Sequence, residues 1–163
     1  MTTASVMSKD LFTVNLDETI ANALSIMYKN KIHNLPVVDE HGCFVGMFGI
    51  RHIILSLLPN ATTVKGFELE NLNFLPDDAL GLIEDMHEVG KQPVKNFLKE
   101  EKNLQLCGPD TAFPELLRLL YTSDSSLPVM VTDGEEKKLV GMVSNWDILS
   151  KIAQELATSK EEK

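Results

Sequence analysis

This chain carries the same sequence pattern twice. Leu35-Pro36-Val37 aligns with Leu127-Pro128-Val129 at an offset of 92 residues. Gly46-Met47 aligns with Gly141-Met142 at an offset of 95, and the three additional residues fall in TDGEEKK, where a surface turn can absorb them. Matches that keep their order over about 50 residues predict two copies of one structural unit.

Each copy has the pattern strand, helix, strand, strand, helix. In the first copy, residues 20–28 place apolar side chains at helical spacing, and Asp17 is the expected N-cap. The segment LPVVDEHGCFVGMFGI predicts a hairpin with its turn at residues 39–42, and IRHIILSLL predicts a second helix. Short apolar runs at residues 12–14 and 104–107 are the expected first strands of the two copies.

These elements predict an α/β (mixed α+β) fold in which each copy contributes a three-stranded mixed sheet and two helices. The helix between the first two strands makes that pair parallel, whereas the tight turn makes the hairpin antiparallel. A single copy of about 50–60 residues has a marginal core, so the two copies are expected to pack together. We therefore divide the chain into copy 1 (residues 1–58), an insert (59–92), copy 2 (93–157) and a frayed tail (158–163).

The insert differs in composition from both copies. The whole chain has a net charge of −9, and the insert carries −5 of it, from 2 basic and 7 acidic residues. Asp77 and Asp78 suit a helix N-terminus, and Gly90 is the expected end of that helix. We expect the helix to pack on the rest of the chain, with docking onto a basic partner surface as the alternative. Its apolar stripe consists of Ala79, Leu82, Ile83, Met86 and Val89.

Composition argues against several classes of protein. A net charge of −9 disfavours general nucleic-acid binding, which requires a basic face. There is no run of about 18 apolar residues for a membrane-spanning helix, and no secretory signal is expected from the N-terminal pattern. The two cysteines, Cys43 and Cys107, are expected to be reduced thiols of a cytoplasmic protein. The four histidines lack the spacing of zinc ligands, and no P-loop or local catalytic signature is present.

Two copies of this order, each with a Leu-Pro-Val strand start, resemble a tandem pair of cystathionine β-synthase (CBS) domains, also called a Bateman module. The second copy ends in GMVSNWD, which has the family's pattern of glycine, two apolar residues, a hydroxyl residue and, three positions later, aspartate. The resemblance covers nearly the whole chain except the insert. It implies two copies packed with pseudo-two-fold symmetry and a regulatory module that binds adenosine-containing ligands between them. It implies no catalysis, cofactor or metal.

The resemblance also implies ligand-binding residues in copy 2. Ser144 stands at the family's Thr or Ser position, and Asp147 stands at the position of the ribose-binding aspartate. A carboxylate can accept hydrogen bonds from both hydroxyls of a cis-diol, and a spacing of three residues places the two side chains on one side of a helix N-terminus. Leu104, Leu106 and Pro128 are expected to line the adenine slot.

Copy 1 departs from this pattern in GMFGIRH. At the matching positions Gly49 has no hydroxyl and His52 has no carboxylate. We therefore expect one working nucleotide site, in copy 2. Arg51 and His52 are expected to reach phosphates across the cleft, since the planar guanidinium suits phosphate oxygens. The alternative is that Arg51 is a solvated surface residue.

Three functions are compatible with the sequence. The first is a regulatory module that binds an adenosine-containing ligand and modulates a separate partner, such as an enzyme or a transporter. The second is a structural module without a ligand, whose helices mediate dimerisation, and the third is an enzyme with an unrecognised site. The resemblance implies a homodimer formed through helical faces. AMP, ADP, ATP, an adenosine derivative such as S-adenosylmethionine and a dinucleotide all remain open as the ligand.

Overall fold

The architecture is that of a computed structural model, which describes residues 1–57, 79–100, 104–123, 126–133 and 136–158. Within these ranges the chain forms two sheets, one belonging to each copy, together with several helices. The mixed α/β class predicted from the sequence is confirmed. None of the helices in these ranges combines the length and the apolar character that crossing a membrane requires.

Copy 1 is built around a four-stranded mixed sheet. Its elements are β1 (Val14–Asn15), α1 (Ile20–Asn30), β2 (Asn34–Val38), β3 (Phe44–Gly49), α2 (Ile50–Leu57) and, from beyond the insert, β4 (Lys99–Glu100). The strand order is β1-β2-β3-β4, with β1 parallel to β2 and the other two pairs antiparallel. The expected crossover and hairpin are therefore present, with one strand more than the three that were predicted.

The hairpin turn between β2 and β3 lies where the sequence predicts it, at residues 39–42. Asp39 Oδ1 accepts hydrogen bonds from the backbone N–H groups of His41 and Cys43, both at 2.9 Å. Gly42 has a φ of 79°, a left-handed conformation that glycine adopts without steric cost. The turn chemistry of Asp and Gly thus accounts for the position of the hairpin.

The start of α1 differs from the prediction. Thr19 caps the helix, since its Oγ1 accepts a hydrogen bond from Asn22 N at 3.3 Å. Asp17, the expected N-cap, forms an ion pair with Lys95 instead, with 2.6 Å between Oδ1 and Nζ. Lys95 comes from beyond the insert, so the spacing of residues around α1 gave no sign of it. β1 likewise begins at Val14 and not at residue 12.

Copy 2 contains an antiparallel strand pair and two helices within the described residues. Its elements are α4 (Phe113–Thr122), β5 (Ser126–Asp133), β6 (Glu136–Ser144) and α5 (Asn145–Thr158). Residues 104–107 do not form the predicted first strand; Cys107 alone makes a single-residue bridge. The chain turns immediately afterwards, where Gly108 N donates to Thr111 Oγ1 at 3.0 Å.

The insert contains the predicted helix, α3 (Ala79–Lys91). It continues through Gly90 and ends at the next residue, so the predicted stop at Gly90 is wrong by one position. A Cβ at Gly90 would lie 3.6 Å from Ala21 Cβ, which shows that α3 passes close to α1 at this point. Asp77, Asp78 and the tail residues 159–163 lie outside the described part of the chain.

The apolar stripe of α3 is covered only in part. Val89 packs against the buried core of copy 1, and α3 contacts both α1 and α2. Met86 and Ile83, about one and two turns before Val89, are 52% and 51% exposed. The expectation that the stripe packs on the rest of the chain therefore holds at Val89 and fails at Ile83 and Met86.

The segment that follows α3 is built into copy 1. Pro93 forms an antiparallel bridge with Thr19, and Val94 N donates to Glu18 O at 2.8 Å. Val94 is fully buried in the core of copy 1, and β4 then extends the sheet of that copy. A segment from the start of copy 2 thus completes copy 1.

The first residues of the chain are built into copy 2 in the matching way. Thr2 forms an antiparallel bridge with Ala112, and Thr3 N donates to Thr111 O at 2.9 Å. Thr3 is fully buried, and its hydroxyl lies 3.2 Å from the same carbonyl oxygen. Each copy therefore receives the leading segment of the other.

The leading segment also approaches β6 closely. Ser8 and Met142 exchange both of their backbone hydrogen bonds, at 2.9 and 3.0 Å. A Cβ on Gly141 would lie 2.7 Å from Met7 Sδ and 3.1 Å from Ser8 O. A larger residue at position 141 would therefore have to displace the Met7 side chain and shift the backbone at Ser8 slightly.

Candidate functional site

The predicted ribose-binding pair lies at the junction between β6 and α5. Ser144 is the last residue of β6, and Asp147 lies in the first turn of α5. Asp147 Oδ2 accepts hydrogen bonds from Ser144 N at 2.7 Å and from Ser144 Oγ at 2.6 Å. In return, Ser144 Oγ accepts a hydrogen bond from the backbone N–H of Asp147 at 3.3 Å. The two residues thus form a reciprocal cap of α5, with aspartate in the place of the usual glutamate or glutamine.

This cap leaves one carboxylate oxygen available. Both side chains are half-buried, and both hydrogen bonds to the carboxylate end on Oδ2. Within the described residues, no donor bonds to Asp147 Oδ1. The start of α5 adds backbone N–H groups that carry partial positive charge. The junction therefore suits a ligand that carries both hydroxyl donors and acceptor oxygens.

An apolar cluster lies between β3 and β6. It consists of the buried Phe44 and Met47 and the partly buried Leu104, Leu106, Leu139 and Met142. Met142 precedes Ser144 by two residues, so the two side chains point to the same face of β6. Leu104 and Leu106, which are predicted to line the adenine slot, therefore pack beside β6. This strand ends at Ser144.

Pro128 stands directly opposite Met142 in the register of β5 and β6. This backbone position is next to the apolar cluster. The side chain of Pro128 lies outside the part of the chain whose side chains are described, and its contact with adenine stays a prediction.

In copy 1 the corresponding junction joins β3 to α2. Gly49 ends β3, and His52 lies half-buried in the first turn of α2. His52 Nδ1 is buried and has no hydrogen-bond partner among the described residues. Arg51 is exposed on the same helix. The phosphate contacts of Arg51 and His52 stay predictions.

Sequence reasoning missed the part that β3 plays in the site. All residues of β3 except Val45 are buried, and the strand sequence FVGMFG contains no polar side chain. Such a continuous apolar run is typical of a strand covered on both faces. Phe48 belongs to the core of copy 1, whereas Phe44 and Met47 belong to the cluster between the copies. This apolar run is the sequence feature from which the burial of Phe44 and Met47 could have been predicted.

Two further features lie away from this junction, the Cys107 thiol and a surface recess of copy 1. Burial raises the pKa of the Cys107 thiol to about 11, against the opposing effect of its hydrogen bond with Thr3, so little thiolate forms at neutral pH. A recess at the end of β1 and β2 is lined by Asn15, Leu16, Asp17, Asp39 and Glu40. Across the described ranges, no group of three or more His, Cys, Asp and Glu side chains is arranged to hold a metal ion.

Comparison with known proteins identifies the repeated unit. Residues 4–59 and 94–154 both match the family model described as CBS domain. A CBS domain-containing protein of Dictyostelium discoideum is 30% identical over 145 residues, which cover 88% of this chain and 86% of that protein. An uncharacterised protein of Methanocaldococcus jannaschii is 23% identical over 155 residues, which cover 94% of this chain and 58% of that protein.

Solved structures share the two-copy architecture. The CBS-pair protein CBSX2 of Arabidopsis thaliana, in complex with AMP, has a TM-score of 0.65 at 20% identity, covering 94% of this chain and 96% of that one. A CBS domain pair in complex with 5′-methylthioadenosine and S-adenosyl-L-methionine has a TM-score of 0.63 at 18% identity, covering 95% and 98%. At these identities the similarity establishes the fold.

Proposed function

Since this chain belongs to the CBS-domain family, with a match in each of its two copies, we propose that it is a cytoplasmic regulatory module that binds an adenosine-containing ligand and modulates a separate protein. The observation that carries the proposal is the Ser144–Asp147 pair, whose carboxylate keeps Oδ1 available. AMP, 5′-methylthioadenosine and S-adenosyl-L-methionine, the ligands of two similar structures, share an adenosine moiety, which supports this ligand class. The proposal assigns no reaction to the chain.

In the proposed complex, each part of the ligand meets a chemically different group. Asp147 accepts a hydrogen bond from a ribose hydroxyl, and Leu104, Leu106 and Pro128 contact the adenine. The apolar cluster between β3 and β6 supports this placement, because it supplies an apolar surface beside the polar junction. Arg51 and His52 contact phosphates when the ligand carries them, since both side chains can donate to phosphate oxygens.

The test of the proposal is the affinity of Asp147→Ala for AMP, measured by isothermal titration calorimetry. We expect binding to weaken by at least about 1.5 kcal/mol, or roughly 12-fold, because a hydrogen bond to a charged acceptor is lost. Asp85→Ala is the matched control, since it removes the same charge from an exposed position on α3. Equal affinity of the Asp147→Ala variant and the parent would contradict the ribose role.

Asp147 also caps α5, so its structural effect must be separated from its effect on binding. Loss of the cap is expected to lower the free energy of unfolding by about 1 kcal/mol in Asp147→Ala. Ser144→Ala disrupts the same cap but keeps the carboxylate. If the carboxylate binds the ribose, Ser144→Ala is expected to lose less affinity for AMP than Asp147→Ala, although both variants lose the same free energy of unfolding.

The second candidate function is a structural module that dimerises without a ligand. The observation in its favour is that α2 and α5 expose apolar residues at corresponding positions: Ile54 is 53% exposed and Leu149 is 54% exposed. We propose a homodimer through these helices in either case. A thermal-shift screen of adenine ligands separates the two functions, because a ligand at 100 times its dissociation constant stabilises the protein by about 2.7 kcal/mol.

A further inference from the structure

The place of the missing hydroxyl in copy 1 is taken by a side chain from the neighbouring strand. Asn34, the first residue of β2, pairs with Gly49, the last residue of β3. A Cβ built on Gly49 would lie 2.5 Å from Asn34 Oδ1 and 3.6 Å from Asn34 Cγ, and the first of these distances is shorter than real Cβ contacts. The amide of Asn34 therefore occupies the volume into which a side chain at position 49 would extend.

Copy 2 fills the corresponding volume from its own strand. Ser144 is the counterpart of Gly49, and Ser126 stands opposite Ser144 in the register of β5 and β6, as Asn34 stands opposite Gly49. The hydroxyl of Ser144 bonds directly to the carboxylate three residues later. In copy 1, by contrast, the polar group at the start of the second helix comes from across the strand pair.

We propose that Asn34 replaces the missing hydroxyl at the start of α2 and thereby closes the copy 1 junction to a nucleoside. The inference rests on the proposed function of the β6–α5 junction, and it limits the chain to one adenosine-containing ligand. His52 reinforces the closure. It has no carboxylate to accept hydrogen bonds from a ribose diol.

The steric part of the proposal is tested without any ligand. Gly49→Ser is expected to lower Tm by about 3 °C, because the new side chain must displace the amide of Asn34 from its position. In an Asn34→Ser background, the same substitution is expected to leave Tm unchanged or to raise it, since serine can then cap α2. Equal effects of Gly49→Ser in the two backgrounds would show that the positions do not interact, and would overturn the proposal.

The binding part is tested by calorimetric titration with adenosine, which lacks the phosphate that Arg51 and His52 are proposed to contact. The triple variant Asn34→Ser/Gly49→Ser/His52→Asp gives copy 1 the Ser, Ser and Asp that copy 2 carries at Ser126, Ser144 and Asp147. It is expected to bind one adenosine more per chain than the parent. The double variant Gly49→Ser/His52→Asp keeps Asn34 and is the matched control, which is expected to gain no adenosine.

The possible outcomes separate this inference from the proposed function. A parent that binds two adenosine molecules per chain overturns the inference, as does a folded triple variant that gains none, or a double variant that gains as much as the triple. A parent that binds no adenosine, together with a triple variant that binds one, supports the role of Asn34 and defeats the proposed function of the β6–α5 junction. Should the triple variant not fold, the Tm comparison decides.

Discussion

The Ser144–Asp147 pair shows how one carboxylate can serve the fold and a ligand together. Oδ2 holds the cap of α5, while Oδ1 is left for a donor from outside the pair. A spacing of three residues predicts this arrangement, because helix geometry determines which side chains meet at an N-terminus. The contact of Asn34 with Gly49 had no such signal, because a bulge between Val37 and Val38 shifts the register of the β2–β3 pair.

Cys107 is expected to resist thiol reagents. Its pKa, raised to about 11 chiefly by burial, leaves on the order of one thiol in a thousand as thiolate at pH 8, and thiolate is the reactive form. Cys43 lies half-buried in the hairpin turn and is expected to react first. Mass spectrometry of the protein treated with iodoacetamide at pH 8 measures both sites. Labelling of Cys107 as fast as Cys43 would show that Cys107 is more accessible than the structure indicates.

For helix α3, hydrophobic periodicity predicts the helix itself, whereas tertiary packing determines which of its apolar residues are buried. The apolar stripe predicted the helix, because residues at helical spacing share one face. The buried part of that face depends on the positions of α1 and α2, which contact α3. The spacing of apolar residues within α3 does not predict contacts with such distant segments. The structure covers Val89 and leaves Ile83 and Met86 exposed.

Aspartate substitutions along this stripe are therefore expected to differ in effect. Val89→Asp places a charge against the core of copy 1 and should lower the free energy of unfolding by about 2–3 kcal/mol. Ile83→Asp, at a half-exposed position, should change it by no more than about 0.5 kcal/mol. Urea denaturation of the two variants beside the parent measures the difference. A larger loss for Ile83→Asp than for Val89→Asp would contradict the placement of α3.

Elements that depend on a partner far away in the sequence were the ones that could not be predicted. The hairpin of copy 1 was predicted because its signals, Asp39 and Gly42, lie within the turn itself. β4 was missed because it pairs with β3 across the insert, and the ion pair of Asp17 with Lys95 was missed for the same reason. The division of the chain at residues 58, 92 and 157 stays a prediction.

At the scale of the whole molecule, the two copies present matching exposed surfaces. Tyr28 on α1 and Tyr121 on α4 are both exposed, as are Ile54 on α2 and Leu149 on α5. The members of each pair are at corresponding positions of the two copies. Exposed apolar residues repeated in this way favour a pairing surface, since apolar patches on a soluble protein commonly mark interaction sites.

The double variant Ile54→Glu/Leu149→Glu is expected to be monomeric, whereas the parent is expected to be a dimer. Two charges per subunit would be placed in the proposed interface, where burying them without a partner is unfavourable. Ile83→Glu is the matched control, because Ile83 has nearly the same exposure, 51%, but lies on α3. Multi-angle light scattering gives the mass of each variant. A parent that is monomeric at every accessible concentration would rule out the dimer.

The exchange of leading segments between the copies is expected to persist when the protein is diluted. A polypeptide with only one copy would leave its first segment unpaired unless a second molecule accepted it, and that swap would depend on protein concentration. Because both copies lie on one chain, the bridges from Thr2 to Ala112 and from Pro93 to Thr19 form within a single molecule. Linkage of this kind gives an effective concentration of about millimolar order. Dilution would therefore separate two subunits paired through α2 and α5, while the exchange within each subunit would persist.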